Sequence, residues 1–252
     1  MIYNRPEYWL AKTEAVVPYL TFSSPSSFTL AVGDATKHWD GTVEYSTDTS
    51  AWAIWDGTTT LSSTTSGSDN VLYLRGTGNT KIGYYDDEVK HDYIPWVING
   101  TDVRCNGNIE TLLDYATVKA GQHPTMADEC FAGLFTGCTA LIAAPALPAT
   151  TLVSRCYGSM FQGCTSLIQA PALPATALAD SCYGSMFQGC TSLKLSSAQT
   201  GEYTQEYRIP SSGIGVTGVY SLYDMFTSTG GTFTGTPEIN TTYYLSNTNT
   251  VV

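Results

Sequence analysis

The feature that most restricts this chain is an internal repeat. The 21 residues from Leu147 to Leu167 (LPATTLVSRCYGSMFQGCTSL) recur 26 positions later, from Leu173 to Leu193, with 17 identities. An earlier copy is in phase with them. Cys130, Phe135, Gly137, Cys138 and Leu141 stand where the second copy has Cys156, Phe161, Gly163, Cys164 and Leu167. A unit of this size cannot bury its apolar face alone, so successive copies must stack and share a core.

A period of 26 lies within the range of leucine-rich repeats, and the order inside the unit fits a short α/β solenoid. Thr165-Ser-Leu-Ile-Gln-Ala170 reads as a strand, Pro171-Ala-Leu-Pro174 as a turn, and Leu178 to Gln188 as a helical return. Cys182, Met186 and Phe187 fall at i, i+4 and i+5, one apolar stripe, and Gly189 stands where a helix would stop. Stacking then predicts three buried ladders: Phe135, Phe161 and Phe187; Cys138, Cys164 and Cys190; Leu141, Leu167 and Leu193. So few copies need caps at both ends. Residues 97–128 are the expected entry cap, 129–195 the repeats, and 196–252 a β-rich exit cap in which Tyr223-Asp-Met-Phe226 echoes the repeat's Met-Phe pair.

Residues 18–96 predict a small all-β, sandwich-like domain. Tyr19–Phe22, Phe28–Val32, Thr42–Tyr45, Trp52–Trp55, Val71–Leu74 and Lys81–Tyr85 are short strand patterns. Gly33-Asp34, Asp40-Gly41, Asp56-Gly57 and Gly76-Thr-Gly78 punctuate them as turns. Residues 1–17 stand apart as an attachment segment. The fold class is therefore mixed: a β domain, then an α/β repeat solenoid, then a β-rich cap.

Charge narrows the partners. The net charge is −11 and the pI about 4.5, which argues against nucleic acid and anionic membrane surfaces. Charged residues are only 13% of the chain, and from Phe131 to Ala179 the sole charged side chain is Arg155. So neutral a stretch points to a neutral partner such as glycan, or to burial against other subunits, with a trimer favoured. No window approaches 18 apolar residues, so no membrane insertion is expected. The N-terminus has neither an apolar run nor a small-residue cleavage site, so no signal peptide is expected.

Catalytic and metal chemistry find little support. The seven cysteines include no Cys-x-x-Cys pair. On a helix, Cys182 and Cys190 would lie about 12 Å apart, too far for a disulfide. Cys138, Cys164 and Cys190 therefore read as a buried ladder rather than metal ligands. A bridge between neighbouring copies is the one exception that spacing allows. His38, His91 and His123 belong to no nucleophile or zinc constellation. Asp86-Asp87-Glu88 lacks regular calcium-ligand spacing and reads as a solvated turn. Ser46 to Trp52 is close to an Asp-box hairpin and reads as a structural turn. Trp39, Trp52 and Trp55 are the candidate ligand-binding residues, since flat indole faces suit pyranose rings. A glycan-degrading site would need paired carboxylates. Asp40, Glu44, Asp48 and Asp56 are the acids placed to try. No cofactor is expected.

On these residues the repeat unit, LPATxLxxxCYxxMFxGCTSL, resembles the BspA-like leucine-rich repeats of bacterial and phage-encoded proteins. Tyr19-Leu-Thr-Phe22, the Tyr45-Ser-Thr-Asp-Thr-Ser-Ala-Trp52 hairpin and Gly231-Thr-Phe-Thr-Gly-Thr-Pro237 are similar to segments flanking such repeats. The resemblance implies a non-catalytic, adhesive role. Without an export signal, the expected setting is a bacteriophage virion: a receptor-binding protein, exposed after host lysis, that contacts host-surface glycan or protein, or other virion proteins. The alternative is a bacterial cell-surface adhesin.

Overall fold

The computed structural model describes residues 19–86, 92–213 and 220–252. The chain is mostly β-sheet, arranged in several sheets. Among the described residues the one α-helix is Thr111–Lys119. The expected attachment segment, residues 1–17, lies outside the described residues.

Short alternating strands build the N-terminal part. Leu20–Ser24 alternates buried and half-buried positions and pairs antiparallel with Asp69–Thr77 on one side and Val103–Asn106 on the other. Asp69–Thr77 continues to Thr42–Ser46 and then to Ala53–Trp55 at the edge. A second sheet of Trp96–Asn99, Thr29–Val32 and Leu61–Ser62 packs across it. Trp55 from the first sheet meets Trp96 from the second with ring centroids 5.2 Å apart. Lys81–Tyr84, expected as a strand, has no ladder partners and runs as extended chain; only Tyr85–Asp86 pairs, with Asp92–Tyr93.

The first sheet does not stop at residue 96. From Val103–Asn106 it continues in parallel through Leu141–Ala143 and Gln169–Ala170 to Thr250–Val251 near the C-terminus. One hydrophobic core correspondingly runs from Leu20 to Leu245. The helix Thr111–Lys119 lies against Gly76, where a Cβ would come within 1.6 Å of the Leu112 carbonyl oxygen. Only glycine permits so close an approach.

The helical return expected over Leu178–Gln188 is absent. In its place the chain makes consecutive turns, with a left-handed residue at every fourth position: Glu129, Gly133 and Gly137; Arg155, Ser159 and Gly163; Ser181, Ser185 and Gly189. A left-handed residue cannot continue a right-handed helix, so the bonds to residue i−4 do not form. Alternate residues instead close local turns, as Gly158 N–H does on the Arg155 carbonyl at 3.1 Å. The residues between them donate to the following copy: Tyr157 N–H to Cys182 O at 3.0 Å, Ser159 to Gly184 at 2.8 Å, Phe161 to Met186 at 3.0 Å. Most backbone N–H groups of these turns thus gain a partner without a helix, as burial requires.

Candidate functional site

Buried side chains of the repeat copies fall into aromatic, leucine and thiol columns. Phe135, Phe161, Phe187 and Phe226 stack face to face at 5.6–5.8 Å with interplanar angles of 11° or less. Phe226 belongs to the Met225-Phe226 echo. Phe131, Tyr157 and Tyr183 form a parallel column at 5.8 Å. Leu141, Leu167 and Leu193 are fully buried. Cys138, Cys164 and Cys190 are buried free thiols whose Sγ atoms donate to the carbonyls of Trp96, Phe135 and Phe161 at 3.0 Å. Cys130, Cys156 and Cys182 form a second buried thiol column. Burial pushes the thiols of Cys138, Cys182 and Cys190 up to about 12, so these groups are packing elements and not nucleophiles.

The tryptophan platform does not form. Trp39 and Trp55 are 4% and 1% exposed, packed on each other and on Trp96 inside the core. Apolar ring area is worth more between two sheets than against solvent. Trp52 is half-buried beneath the Arg75 guanidinium, 4.0 Å above its ring centre, and Arg75 is in turn ion-paired with Glu44 at 2.8 Å.

The four candidate acids are used in local structure. Asp40 accepts from Thr80 and Lys81, and Asp48 from Ser50 and Ala51. Asp56 accepts from Thr58 and Thr59. His38 stacks on Tyr84 at 4.1 Å and bonds Asp34. His91 lies outside the described residues, as do Asp87 and Glu88 of the acidic cluster. Among the described residues no group of three His, Cys, Asp or Glu side chains is placed to hold a metal ion, and no helix is long and apolar enough to cross a membrane.

The repeat copies do create an open groove of about 440 Å³ on the face formed by their left-handed residues. That backbone conformation turns Glu129, Arg155, Ser181 and Ser185 outward. Glu129, Arg155 and Ser181 occupy one position of three successive copies, 26 residues apart. The floor is kept low by Gly158 and Gly184; a Cβ at Gly184 would lie 2.9 Å from the Tyr220 carbonyl. One end is walled by Tyr85 and Tyr93, edge to face at 5.1 Å, and the other by Tyr220 and Tyr223 in the same relation at 5.3 Å. Tyr93 seats itself directly over Gly133, where any side chain would clash with its ring.

The groove's polar centre is an ion-paired cluster. Glu129 accepts from Lys81 and from Arg155, each at 3.1 Å. Partial burial raises the Glu129 carboxyl, and the hydrogen bonds from Lys81 and Arg155 outweigh it, so its pKa is lowered and it stays ionised. Burial, and then the Glu129 charge, raise the Tyr93 phenol, which keeps its proton as a donor. Arg155 is about half exposed. A fixed carboxylate, a guanidinium, hydroxyl groups and aromatic rings can together bind a polar, ring-containing ligand. Among the described lining residues no group is activated as a nucleophile.

None of the groove tyrosines was a sequence candidate. The one available signal was Arg155, a lone charge in a neutral stretch. A second, smaller cavity of about 180 Å³ is lined by Glu110, His123 and Thr151. There the fully buried Glu110 carboxylate is held by His123 Nδ1 at 2.8 Å. Comparison of the chain with family models, with curated proteins and with solved structures finds no match.

Proposed function

We propose that this chain is a non-catalytic adhesion or receptor-binding protein, carried on a bacteriophage virion, that engages host-surface glycan through a leucine-rich-repeat solenoid. The tyrosine-walled groove carries the reading: it is open, lies across successive repeat copies, and offers binding groups without an activated nucleophile. The use of Asp40, Glu44, Asp48 and Asp56 in turns and ion pairing supports the non-enzymatic role. Weak attachment at one groove gains strength if chains assemble, a trimer being the favoured form, because linked sites raise the effective concentration of one another.

The test is attachment of fluorescently labelled full chain to a panel of bacterial cells, with its mass in solution measured by light scattering. Saturable attachment that is removed by stripping surface polysaccharide supports the proposal. Absence of attachment across a broad strain panel, or release of reducing sugar from the cells, overturns it.

A further inference from the structure

We infer that the groove is a binding site for a neutral chain of pyranose rings, laid across the repeat copies from the Tyr85–Tyr93 pair to the Tyr220–Tyr223 pair. This deepens the adhesion reading and rests on it. Three observations carry the argument.

The first is spacing. Rings of successive copies stack 5.8 Å apart and their backbones are hydrogen-bonded at strand-like spacing, about 4.8 Å, so the groove repeats its outward positions, Glu129, Arg155 and Ser181, at steps close to the length of one pyranose ring in an extended glycan. The second is the pairing of aromatic and planar polar groups. Tyr220 and Tyr223 are 62% and 53% exposed, whereas the other aromatic rings among the described residues are buried or half-buried. Sugar rings present apolar C–H faces to aromatic rings, and neighbouring hydroxyls that each donate and accept. A carboxylate and a guanidinium fixed side by side match such hydroxyl pairs. Glu129 and Arg155 are held in that relation at 3.1 Å.

The third is charge. Arg155 and Lys81 share the Glu129 carboxylate, and Asp180 and Asp92 lie close enough to act on Arg155 and Tyr93, so two cations at the groove meet three carboxylates. A uronate or sialate would bring a carboxylate to a site with no unmatched cation among the described lining residues, in a chain of net charge −11. A neutral chain incurs no such repulsion. The volume, about 440 Å³, falls within the usual range of small-ligand sites.

The experiment titrates the full chain by calorimetry with neutral gluco-, manno- and galacto-oligosaccharides of two to five residues, and with uronate-containing chains of the same length. At least one neutral series should bind, more tightly with length up to the span of the groove. Tyr223→Ala, at an exposed side chain, should lower affinity about tenfold while Tyr223→Phe retains it. Arg155→Ala should also lower it; thermal unfolding of each variant verifies that the fold is kept.

Tighter binding of the uronate chains would overturn the neutral-ligand assignment. Binding untouched by Tyr220→Ala and Tyr223→Ala would overturn the groove as the site. Attachment to cells that survives both tyrosine changes, with no oligosaccharide bound or with a peptide bound instead, would overturn this inference and leave the adhesion reading standing. Loss of attachment to cells by the unaltered chain would overturn both.

Discussion

Tyr157→Phe should make this protein more stable. The Tyr157 hydroxyl is buried in the repeat core and has no hydrogen-bond partner among the described residues, and burial raises its pKa well above the usual phenol value, so it stays neutral. A buried polar group without a partner costs about 1–3 kcal/mol. The copy before it shows that the hydroxyl is dispensable: Phe131 fills the same place and stacks on Tyr157 at 5.8 Å with the rings 3° from parallel. Removing one oxygen leaves a void smaller than a methyl group, which costs less than about 1 kcal/mol. The net gain is about 1–2 kcal/mol, or roughly 2–8 °C in Tm for a domain of this size. Urea unfolding and calorimetry of the two proteins read it directly, and Phe131→Tyr should move stability the other way. Equal or lower stability of Tyr157→Phe would refute the reasoning and show that the hydroxyl is bonded in solution.

Other consequences follow from the same packing and charges. Phe161→Ala, in the middle of the phenylalanine stack, should cost about 3–5 kcal/mol; a loss under 1 kcal/mol in urea unfolding would show that the column collapses to fill the space. The seven thiols, all buried and free, should resist Ellman's reagent at pH 8 in the native state and react fully in guanidinium, so rapid native labelling would contradict their placement. Asp48, held down to about 2 by bonds from Ser50 and then Ala51, supports its hairpin above about pH 4; that support should fade as pH falls toward 2, and Asp48→Ala should remove this part of the acid transition, followed by NMR of Ala51 and Trp52. Glu110 runs the opposite way, because burial raises its carboxyl despite the bond from His123. Its contribution is complete below the ordinary glutamate value near 4.5 and declines as pH rises through the raised one. Glu110→Gln should flatten that slope in chemical unfolding measured between pH 4 and 8.

Several elements were legible from residue pattern alone. Alternation over Leu20–Ser24 and Thr29–Val32 was enough to place strands, because each buries one face and leaves the other half-buried. The phenylalanine, leucine and thiol columns follow from the 26-residue period. Identical units that stack must superpose identical side chains. Apolar spacing predicts a helix over Leu178–Gln188 where the chain makes turns, for a definable reason. The buried residues there, Leu178, then Cys182 with Tyr183, then Met186 with Phe187, recur every four positions. On a helix of 3.6 residues per turn that pattern also lies within one face, so apolar spacing cannot separate a helix from four-residue turns.

The sequence by itself determined that this chain repeats, that the repeats stack, and which side chains line the stack, because burial and periodicity are properties of residue order. Tertiary structure alone decided the backbone between them. A left-handed residue every four positions is tolerable only where the next copy accepts the freed N–H groups, and those partners lie 25 or more residues away. It also decided the tryptophans and the groove. Trp39 and Trp55 became core because Trp96, 57 and 41 residues further along the chain, closes over them. The groove brings Tyr93 and Tyr223 to the repeat positions Glu129 and Arg155, a meeting that the 26-residue period does not encode. Contacts between distant segments are selected by the free energy of the whole packed chain, and for that reason the site became visible only in the folded molecule.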